Sequence, residues 1–233
     1  MQKRGDTIPT INNRIKAMRS FYNFLADNHL SPKDILVDVI LKVKQYKEAK
    51  TIPNSFTAEE IAGIVKDAMS FGLMHPIKTR ALIWFLFYSG LRKKEFLMLK
   101  RINFNLSECE FTAKFTKNKI ERIGYIPKEV RDMVQEYFSI EPEENNAFNM
   151  NRYTFEYFFT KLNECLPKGK HIHPHAMRHS FAMMLVDSSV DVAHAQKMMG
   201  HESIDATMRY FRVRDKQVKE IYAKKVKFNG KIK

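Results

Sequence analysis

The sequence has few cysteines, no long apolar run and a minority of acidic residues. Cys109 and Cys165 are its only cysteines and form no CxxC pair, which excludes a disulfide framework. The longest apolar run, Ala81 to Tyr88, is far too short to span a bilayer, and the N-terminal segment MQKRGDTIPTINNR contains no apolar signal-peptide region. We therefore expect a cytoplasmic protein with no membrane partner.

The shortage of acidic residues leaves a large positive charge. Against 26 Asp and Glu there are 40 Lys and Arg, which gives a formal net charge of +14. Such a charge favours nucleic acid over an acidic protein as partner, although a basic soluble protein without a specific ligand has the same composition. With 233 residues and 44% apolar content, the chain can form one ordinary domain plus a smaller one.

Hydrophobic periodicity divides the chain into a small N-terminal helical segment and a larger domain. Apolar residues from Ile11 to Leu25 recur at three- and four-residue steps and predict an amphipathic helix, and Ile35 to Tyr46 continues in helical rhythm. The periodicity is lost around Pro53, and Thr57-Ala-Glu-Glu60 is a capping box that begins a new helix. We predict an N-terminal segment at 1–50, a linker at 51–56, the main domain at 57–212 and a basic C-terminal helix at 213–233.

The main domain is predicted to be mainly α with a small β-hairpin or sheet. Thr79 to Ser89 is apolar nearly all round, as in the central helix of a core, and Gly90 suits the left-handed end of that helix. Two β-prone runs, Glu110 to Thr116 and Glu121 to Ile126, predict a hairpin whose tip is basic. The tip can reach a groove in nucleic acid, or its lysines can simply protect a sheet edge from aggregation.

The stretch from His171 to Tyr210 contains the densest set of chemically useful side chains. Pro174 suits the first position of a helix, on which His175 and Arg178 share one face. His201 then precedes Tyr210 by nine residues. A metal site is not predicted despite the many histidines, because no HExxH motif or carboxylate at a recognisable ligand spacing is present.

These residue types suit attack by a phenol on a phosphodiester. Two guanidinium groups, of Arg92 and Arg178, match the charge of its non-bridging oxygens. A free tyrosine has a pKa of about 10, so forming its oxyanion at neutral pH costs roughly 4 kcal/mol unless a base or nearby cations offset that cost. His175 and the arginines can do so for Tyr210, and Lys117 at the hairpin tip can protonate the leaving oxygen.

Taken alone, each of these residues also has a purely structural explanation. A histidine such as His175 can cap a helix, a tyrosine can be a core aromatic, and Arg178 can pair with Asp187 or Glu202. Nine tyrosines are present, of which Tyr222 is the nearest competitor to Tyr210 as nucleophile. The functional interpretation therefore depends on the joint occurrence and order of the residues.

Five motifs follow one another along the chain, and they are Leu91-Arg92-x-x-Glu95, the lysine hairpin ending in Glu121-Arg122, His175-x-x-Arg178-His179, Met199-Gly200-His201-Glu202-Ser203, and Tyr210. In this order they resemble the catalytic signature of tyrosine recombinases, the phage-integrase and Xer-type site-specific recombinases. The resemblance covers Thr57 to about Tyr222, and Met199 replaces the leucine of the family's L-G-H-x-S pattern.

The resemblance implies a role for each matching residue. Glu95 would be a structural partner, and His179 would be a packing residue or lie behind the reacting groups. The implied catalytic set is Arg92 and Arg178 on the scissile phosphate, Lys117 as general acid with Lys119 as its rival, His175 as general base, His201 as a further phosphate or nucleophile contact, and Tyr210 as nucleophile.

The resemblance also implies an activity and partners. We expect a site-specific recombinase that cleaves and rejoins double-stranded DNA through a 3′-phosphotyrosyl intermediate, without metal, ATP, another cofactor or a small-molecule substrate. Integration, excision, resolution and inversion all remain open, and a tetramer on two DNA sites would exchange the strands. The segment 1–50 resembles the second half of the family's helical core-binding domain, and the C-terminal helix is expected to pack on a neighbouring protomer.

Two alternatives remain at this point. A type IB topoisomerase shares the chemistry and would relax supercoiled DNA without dependence on a site. A non-catalytic DNA-binding module of the same fold would show salt-sensitive binding without cleavage.

Overall fold

The computed structural model of the chain describes residues 6–28, 42–47, 54–114, 121–166 and 170–214, with the side chains of 212–214 left out. The chain divides into two compact units, Met1–Ile52 and Pro53–Lys233. The first unit contains helix α1 (Ile8–Asp27). The helices of the second unit are α2 (Ala58–Ser70), α3 (Pro76–Ser89), α4 (Lys93–Met98), α5 (Lys128–Ile140), α6 (Arg152–Glu164), α7 (Pro174–Asp187), α8 (Val192–Met199) and α9 (Ile204–Arg214).

A small antiparallel sheet accompanies these helices. Its strands β1 (Phe104–Asn105), β2 (Glu110–Lys114) and β3 (Glu121–Tyr125) pair in sequence order, with Ala113 opposite Arg122. The prediction of a mainly α fold with a small sheet is confirmed, as is the pairing of the two predicted β runs. The basic tip that joins β2 to β3 lies outside the described residues.

The first unit departs from the prediction at one point. The helix expected from Ile35 to Tyr46 falls largely outside the described residues, but residues 43–47 are described and are not helical. The side chain of Asn12 on α1 accepts a hydrogen bond from the Tyr46 amide at 2.8 Å and donates to its carbonyl at 2.9 Å. The Asn12 side chain thus replaces the helical partners of the Tyr46 peptide groups, which a local periodicity cannot reveal.

The core of the second unit is an aromatic cluster centred on α3. The ring centroid of Phe85 lies 5.2 Å from those of Phe111 and Phe148, and 5.3 Å from that of Phe104, so helix, sheet and loop are packed around one side chain. Opposite Phe111 on β3 is Gly124, where a Cβ would overlap the Phe111 ring. This packing fixes the sheet against the face of α3.

A second, smaller cluster connects α7, α8 and α9. It comprises Phe181, Ala182, Leu185, Val186, Ala195, Met199 and Tyr210. The predicted left-handed end of α3 at Gly90 is confirmed, with φ of 57°, and a Cβ there would overlap Phe181. The two clusters therefore meet at the end of α3. None of the described helices is long and apolar enough to cross a membrane.

Candidate active site

A cleft of about 1530 Å³ in the second unit brings together residues that are far apart in the sequence. Arg92 from the corner between α3 and α4, His175 and Arg178 from α7, and His201 from the turn after α8 all line it. Lys117 and its rival Lys119 belong to the hairpin tip and lie outside the described residues, as does Tyr222. Four of the six predicted catalytic residues thus share one cleft.

Local sequence determines how α7 presents its side chains to the cleft. Pro174 occupies the first turn, and the Nδ1 of His173 caps the helix by accepting a hydrogen bond from the Ala176 amide at 3.1 Å. The capping histidine is therefore His173, which leaves His175 for other contacts. Arg178 follows His175 by three residues and lies with it on the cleft.

Arg178 is held by backbone carbonyls. Its side chain is almost completely buried, and its NH1 donates to the Gly90 carbonyl at 2.6 Å while its NH2 donates to the Met199 carbonyl. The partners considered from the sequence, Asp187 and Glu202, are replaced by these carbonyls and by Glu95, whose carboxylate lies 3.9 Å from NH1. The guanidinium is thereby fixed at the wall of the cleft.

Glu95 is a buried carboxylate that the arginines of the cleft share. Its Oε2 accepts hydrogen bonds from the backbone amide of Arg92 at 2.9 Å and from NH2 of Arg122 at 3.3 Å, and its Oε1 accepts one from NH1 of Arg92 at 2.7 Å. Burial alone would raise the pKa of Glu95. The hydrogen bonds from Arg92 and the charges of Arg122 and Arg178 outweigh burial and lower this pKa, so the carboxylate is ionised.

The C-terminal end of α8 provides a second set of acceptors. Three consecutive carbonyl groups there each accept a hydrogen bond from a different guanidinium group, and the negative end of the helix dipole adds to the attraction. The pairs are Arg122 with Met198, Arg178 with Met199, and Arg92 with Gly200, the last at 2.9 Å. Gly200 is left-handed, with φ of 61°, and directs the chain from these carbonyls to His201.

The positive charge of the cleft adds to burial in lowering the pKa of its arginine Arg178. Burial, together with the charges of Arg92 and Arg122, lowers the pKa of Arg178 to about 9. The same crowding of cations favours an anionic ligand, which would offset the repulsion between the guanidinium groups. The arrangement therefore suits a phosphate.

His201 is oriented by a buried threonine. Its Nδ1 lies 2.7 Å from the hydroxyl of Thr207 on α9, which leaves Nε2 for a ligand in the cleft. Burial, followed by the charges of Arg178 and Arg92, lowers the pKa of His201 to about 4. The ring is thus neutral at pH 7 and can donate or accept one hydrogen bond through Nε2.

Tyr210 is connected to the cleft through two histidines. Its hydroxyl forms a hydrogen bond with Nδ1 of His179, whose ring centroid lies 4.3 Å from that of His175. The phenol is 3% exposed within the smaller cluster, and neither Tyr210 nor His179 lines the cleft. Burial raises the pKa of Tyr210, while Arg178 and Arg209 act to lower it.

The pKa values of the two histidines beside Tyr210 are also lowered. Burial is the main cause for both, followed by the neighbouring His175 for His179 and by Arg178 for His175. The pKa of His179 falls to about 4, so its ring is neutral at pH 7. A neutral imidazole in contact with the phenol can act as its hydrogen-bond acceptor.

The part of the chain that contains this cleft matches a known protein family. A family model described as the phage integrase family matches residues 54–217, which include every described residue of the site. The chain belongs to the phage integrase family. The expectation drawn from the motifs is therefore confirmed at the level of the family.

Similar proteins of this phage integrase family include recombinases of the Xer type. The chain is 25% identical to tyrosine recombinase XerC of Pediococcus pentosaceus over 92% of its length and 75% of the relative's. It is 27% identical to tyrosine recombinase XerD of Oceanobacillus iheyensis over 95% of its length and 77% of the relative's.

The fold is similar to that of a solved member. A crystal structure of XerH site-specific recombinase bound to a palindromic difH substrate, a post-cleavage complex, matches with a TM-score of 0.70 and 17% identity. The match covers 94% of this chain and 68% of the other. At this identity, the likeness concerns the fold.

Two residues of the site were not singled out for their roles by the sequence, because Arg122 was noted only as the end of a motif and Thr207 was not considered. His179 was expected to be a packing residue or to lie behind the reacting groups, but its hydrogen bond with Tyr210 was not predicted. His179 follows His175 by four residues, so helical spacing could have predicted their contact. The contacts of Arg122 and Thr207 involve other elements and gave no local signal.

No group of three or more His, Cys, Asp and Glu side chains suited to a metal ion occurs among the described residues. Three histidines at or behind the cleft form hydrogen bonds within the protein, which pair His173 with Ala176, His179 with Tyr210 and His201 with Thr207. These contacts assign the histidines to helix capping and to the positioning of polar groups.

Proposed function

We propose that the chain is a site-specific DNA recombinase in which Tyr210 attacks the scissile phosphate. The observation that carries this proposal is the convergence of Arg92, His175, Arg178 and His201 on one cleft. The hydroxyl of Tyr210 lies behind this cleft in a hydrogen bond with His179. Its family membership and the recombinases among its relatives support the same reaction.

In the proposed reaction, Arg92 and Arg178 bind the non-bridging oxygens of the phosphate, and the Nε2 of His201 binds a third polar atom. The Tyr210 oxygen forms a bond to phosphorus, and its proton passes to His175 as general base. The bond from phosphorus to the 5′ oxygen breaks, and Lys117 or its rival Lys119 gives that oxygen a proton. A 3′-phosphotyrosyl bond remains, and attack by another 5′ hydroxyl reverses the steps.

The buried position of Tyr210 adds a requirement to this proposal. Its hydroxyl must exchange His179 for the phosphate before it can react, since the phenol lies outside the lining of the cleft. We therefore expect DNA binding to be accompanied by a movement of α9. In the resting enzyme, the neutral His179 ring can accept a hydrogen bond from the phenol.

Double-stranded DNA is the proposed substrate. Lys93, Lys94 and Lys197 line the cleft beside the arginines and can contact phosphates on either side of the cleaved bond. Solved structures of similar fold include XerH site-specific recombinase bound to a palindromic difH substrate and the Tn1549 transposon integrase in complex with a circular intermediate DNA. We further propose that the segment 1–50 clamps the DNA and that a tetramer on two sites exchanges the strands. The basic helix predicted at 213–233 lies outside the described residues beyond position 214, and we propose that it packs on a neighbouring protomer.

A suicide DNA substrate tests the nucleophile. A nick near the cleavage site lets the leaving strand diffuse away, so the covalent adduct accumulates and can be counted by denaturing electrophoresis in the presence of EDTA. We expect wild-type protein and Tyr222→Phe to form the adduct and Tyr210→Phe to form none. Adduct formation by Tyr210→Phe but not by Tyr222→Phe would overturn the assignment, and site-independent relaxation of supercoiled DNA would indicate a topoisomerase.

A further inference from the structure

Arg122 is a buried arginine whose contacts join three elements of the site. It lies on β3 with 7% of its surface exposed. Its NH2 donates to Oε2 of Glu95 on α4 at 3.3 Å, and its NH1 donates to the Met198 carbonyl at the end of α8. A single side chain thus links the sheet to both groups of acceptors that hold the other arginines.

The contact between Arg122 and Glu95 determines which partner each carboxylate oxygen of Glu95 binds. Arg122 and the Arg92 amide occupy Oε2, so Oε1 is directed to the guanidinium of Arg92. Without Arg122, the carboxylate could rotate, and the Arg92 side chain would lose a fixed partner. Of the two arginines proposed to bind the phosphate, Arg92 is the more exposed, with 41% of its side chain accessible, so it depends most on this partner.

The contact with Met198 has a similar effect on α8. The next two carbonyls, of Met199 and Gly200, accept hydrogen bonds from Arg178 and Arg92. A displacement of the helix end at Met198 would move both of these acceptors, together with His201 immediately after them. Arg122 itself lines the cleft, but both of its terminal nitrogens are used within the protein. It can therefore affect the proposed phosphate-binding residues without binding the phosphate itself.

We propose that Arg122 is a positioning residue that orients Arg92 and Arg178 through Glu95 and the carbonyl end of α8. This inference rests on the proposed function, in which those two arginines bind the scissile phosphate. A direct contact with DNA is not required, because the guanidinium is buried and both of its terminal nitrogens are used within the protein.

The test compares two substrates that differ in the charge of the scissile group. One suicide DNA has the natural phosphate, and the other has a neutral methylphosphonate at the same position. Because a neutral ester depends less on guanidinium groups, a fault in arginine placement slows cleavage of the natural DNA more than that of the methylphosphonate. A general loss of structure slows both equally.

The variants are Arg122→Met, Arg122→Lys and the matched control Arg101→Met. Arg101 is also an arginine that donates to carbonyls at a helix end, those of Phe138 and Glu141 at the end of α5, but neither it nor these partners line the cleft. The measured quantities are the rate of adduct formation, the Kd for DNA and the melting temperature of the protein. Arg122→Lys keeps the charge and serves if Arg122→Met does not fold.

We expect Arg122→Met to slow adduct formation on natural DNA on the order of 100-fold, since small misplacements of reacting groups have effects of this size. The Kd should be nearly unchanged, and the defect should shrink about tenfold on the methylphosphonate as the need for charge stabilisation falls. Arg122→Lys should show the same dependence on substrate, because an ammonium cannot reproduce the guanidinium fork.

Equal defects on the two substrates, or a defect no larger than that of Arg101→Met, would overturn the positioning role. Failure of the proposed function looks different. In that case, wild-type protein would form no adduct with either substrate, or Tyr210→Phe would form as much as wild type.

Discussion

The site has two regions that are built in different ways. One is the arginine corner, which comprises Arg92, Arg122, Arg178 and Glu95, and the other is the tyrosine cluster, which is the smaller apolar cluster around Tyr210. In the arginine corner, Arg178 is fixed by directional hydrogen bonds to carbonyls and lies against the carboxylate of Glu95. In the tyrosine cluster, apolar packing surrounds Tyr210, and His179 provides the hydrogen bond to its hydroxyl. Both regions are buried, yet only the first has its functional groups on the cleft.

The difference follows from what each region must do. Guanidinium groups must have the correct direction before a phosphate arrives, and the hydrogen-bond network provides that direction in advance. Apolar packing is not directional and involves no charge, so an aromatic ring can leave it without exposing an unpaired ion. Under the proposed function, a fixed phosphate-binding region lies beside a releasable nucleophile, which is the arrangement expected of an enzyme that reacts only once DNA is bound.

The largest expected effect comes from removing the charge at the centre of the arginine corner. Glu95→Gln leaves the buried Arg122 and Arg178 without their shared carboxylate. Breaking such a buried pair costs about 3 kcal/mol, which urea unfolding would measure. We also expect adduct formation to slow on the order of 100-fold, because Arg92 loses its orientation.

The control for this variant is Glu156→Gln. Glu156 is an exposed carboxylate that also pairs with two cations, Lys93 and Arg152. Surface pairs contribute little, so its stability and its activity should match the wild type. If Glu95→Gln behaves like Glu156→Gln, the fixed character assigned to the arginine corner is wrong.

In the tyrosine cluster, we expect a substitution to change how often the Tyr210 phenol is accessible to a reagent. In His179→Ala, the Tyr210 hydroxyl loses its acceptor, and a buried unpaired hydroxyl costs roughly 1–3 kcal/mol. The phenol should then leave the cluster more often. Nitration of Tyr210 by tetranitromethane, followed by mass spectrometry, should be faster than in wild type.

His175→Ala is the matched control for nitration, since its ring contacts His179 but belongs to the cleft. We expect it to leave the nitration of Tyr210 nearly unchanged. Equal nitration of wild type and His179→Ala would mean that apolar packing alone retains the phenol. The hydrogen bond between Tyr210 and His179 would then play no part in retaining the phenol in the tyrosine cluster.

The effect expected to be smallest near neutral pH is a dependence of stability on pH, to which each region contributes one histidine. The folded pKa of both His201 and His179 is about 4, against about 6.5 in an unfolded chain. Between these values, the unfolded chain binds protons that the folded protein does not. The free energy of unfolding should therefore fall as the pH is lowered from about 6.5 to about 4.

Urea unfolding of wild type, His179→Asn and His201→Asn at several pH values measures this effect. Each substitution should flatten the decline in stability, since one titrating group is removed. A decline as steep in both site variants as in wild type would contradict the assignment of the two histidines.

Particular elements show how far the sequence could lead. The capping box at Thr57, the left-handed glycine after α3 and the proline at the start of α7 were all predictable, because each depends on neighbouring residues. The helix predicted up to Tyr46 was wrong at its described end, where the Asn12 side chain pairs with the backbone. That contact joins residues far apart in the chain, and periodicity does not register it.

The candidate site shows the same division. Arg92, His175, Arg178, His201 and Tyr210 could be chosen from the order and spacing of motifs. The sequence could not assign partners to the arginines, which proved to be Glu95 and three successive carbonyls at the end of α8. Nor could it separate Tyr210 as a core aromatic from Tyr210 as a nucleophile, and its burial against His179 is compatible with both.

The sequence by itself thus determined the family, the mainly helical fold and the chemical types of the proposed reacting groups, because helix signals are local and the order of the motifs can be read along the chain. Only the tertiary structure decided that Arg122 joins the arginine corner and that Tyr210 rests outside the cleft. Both depend on which distant groups satisfy a buried charge or hydroxyl. That choice is made by the packing of α3, α4, β3, α7, α8 and α9 against one another.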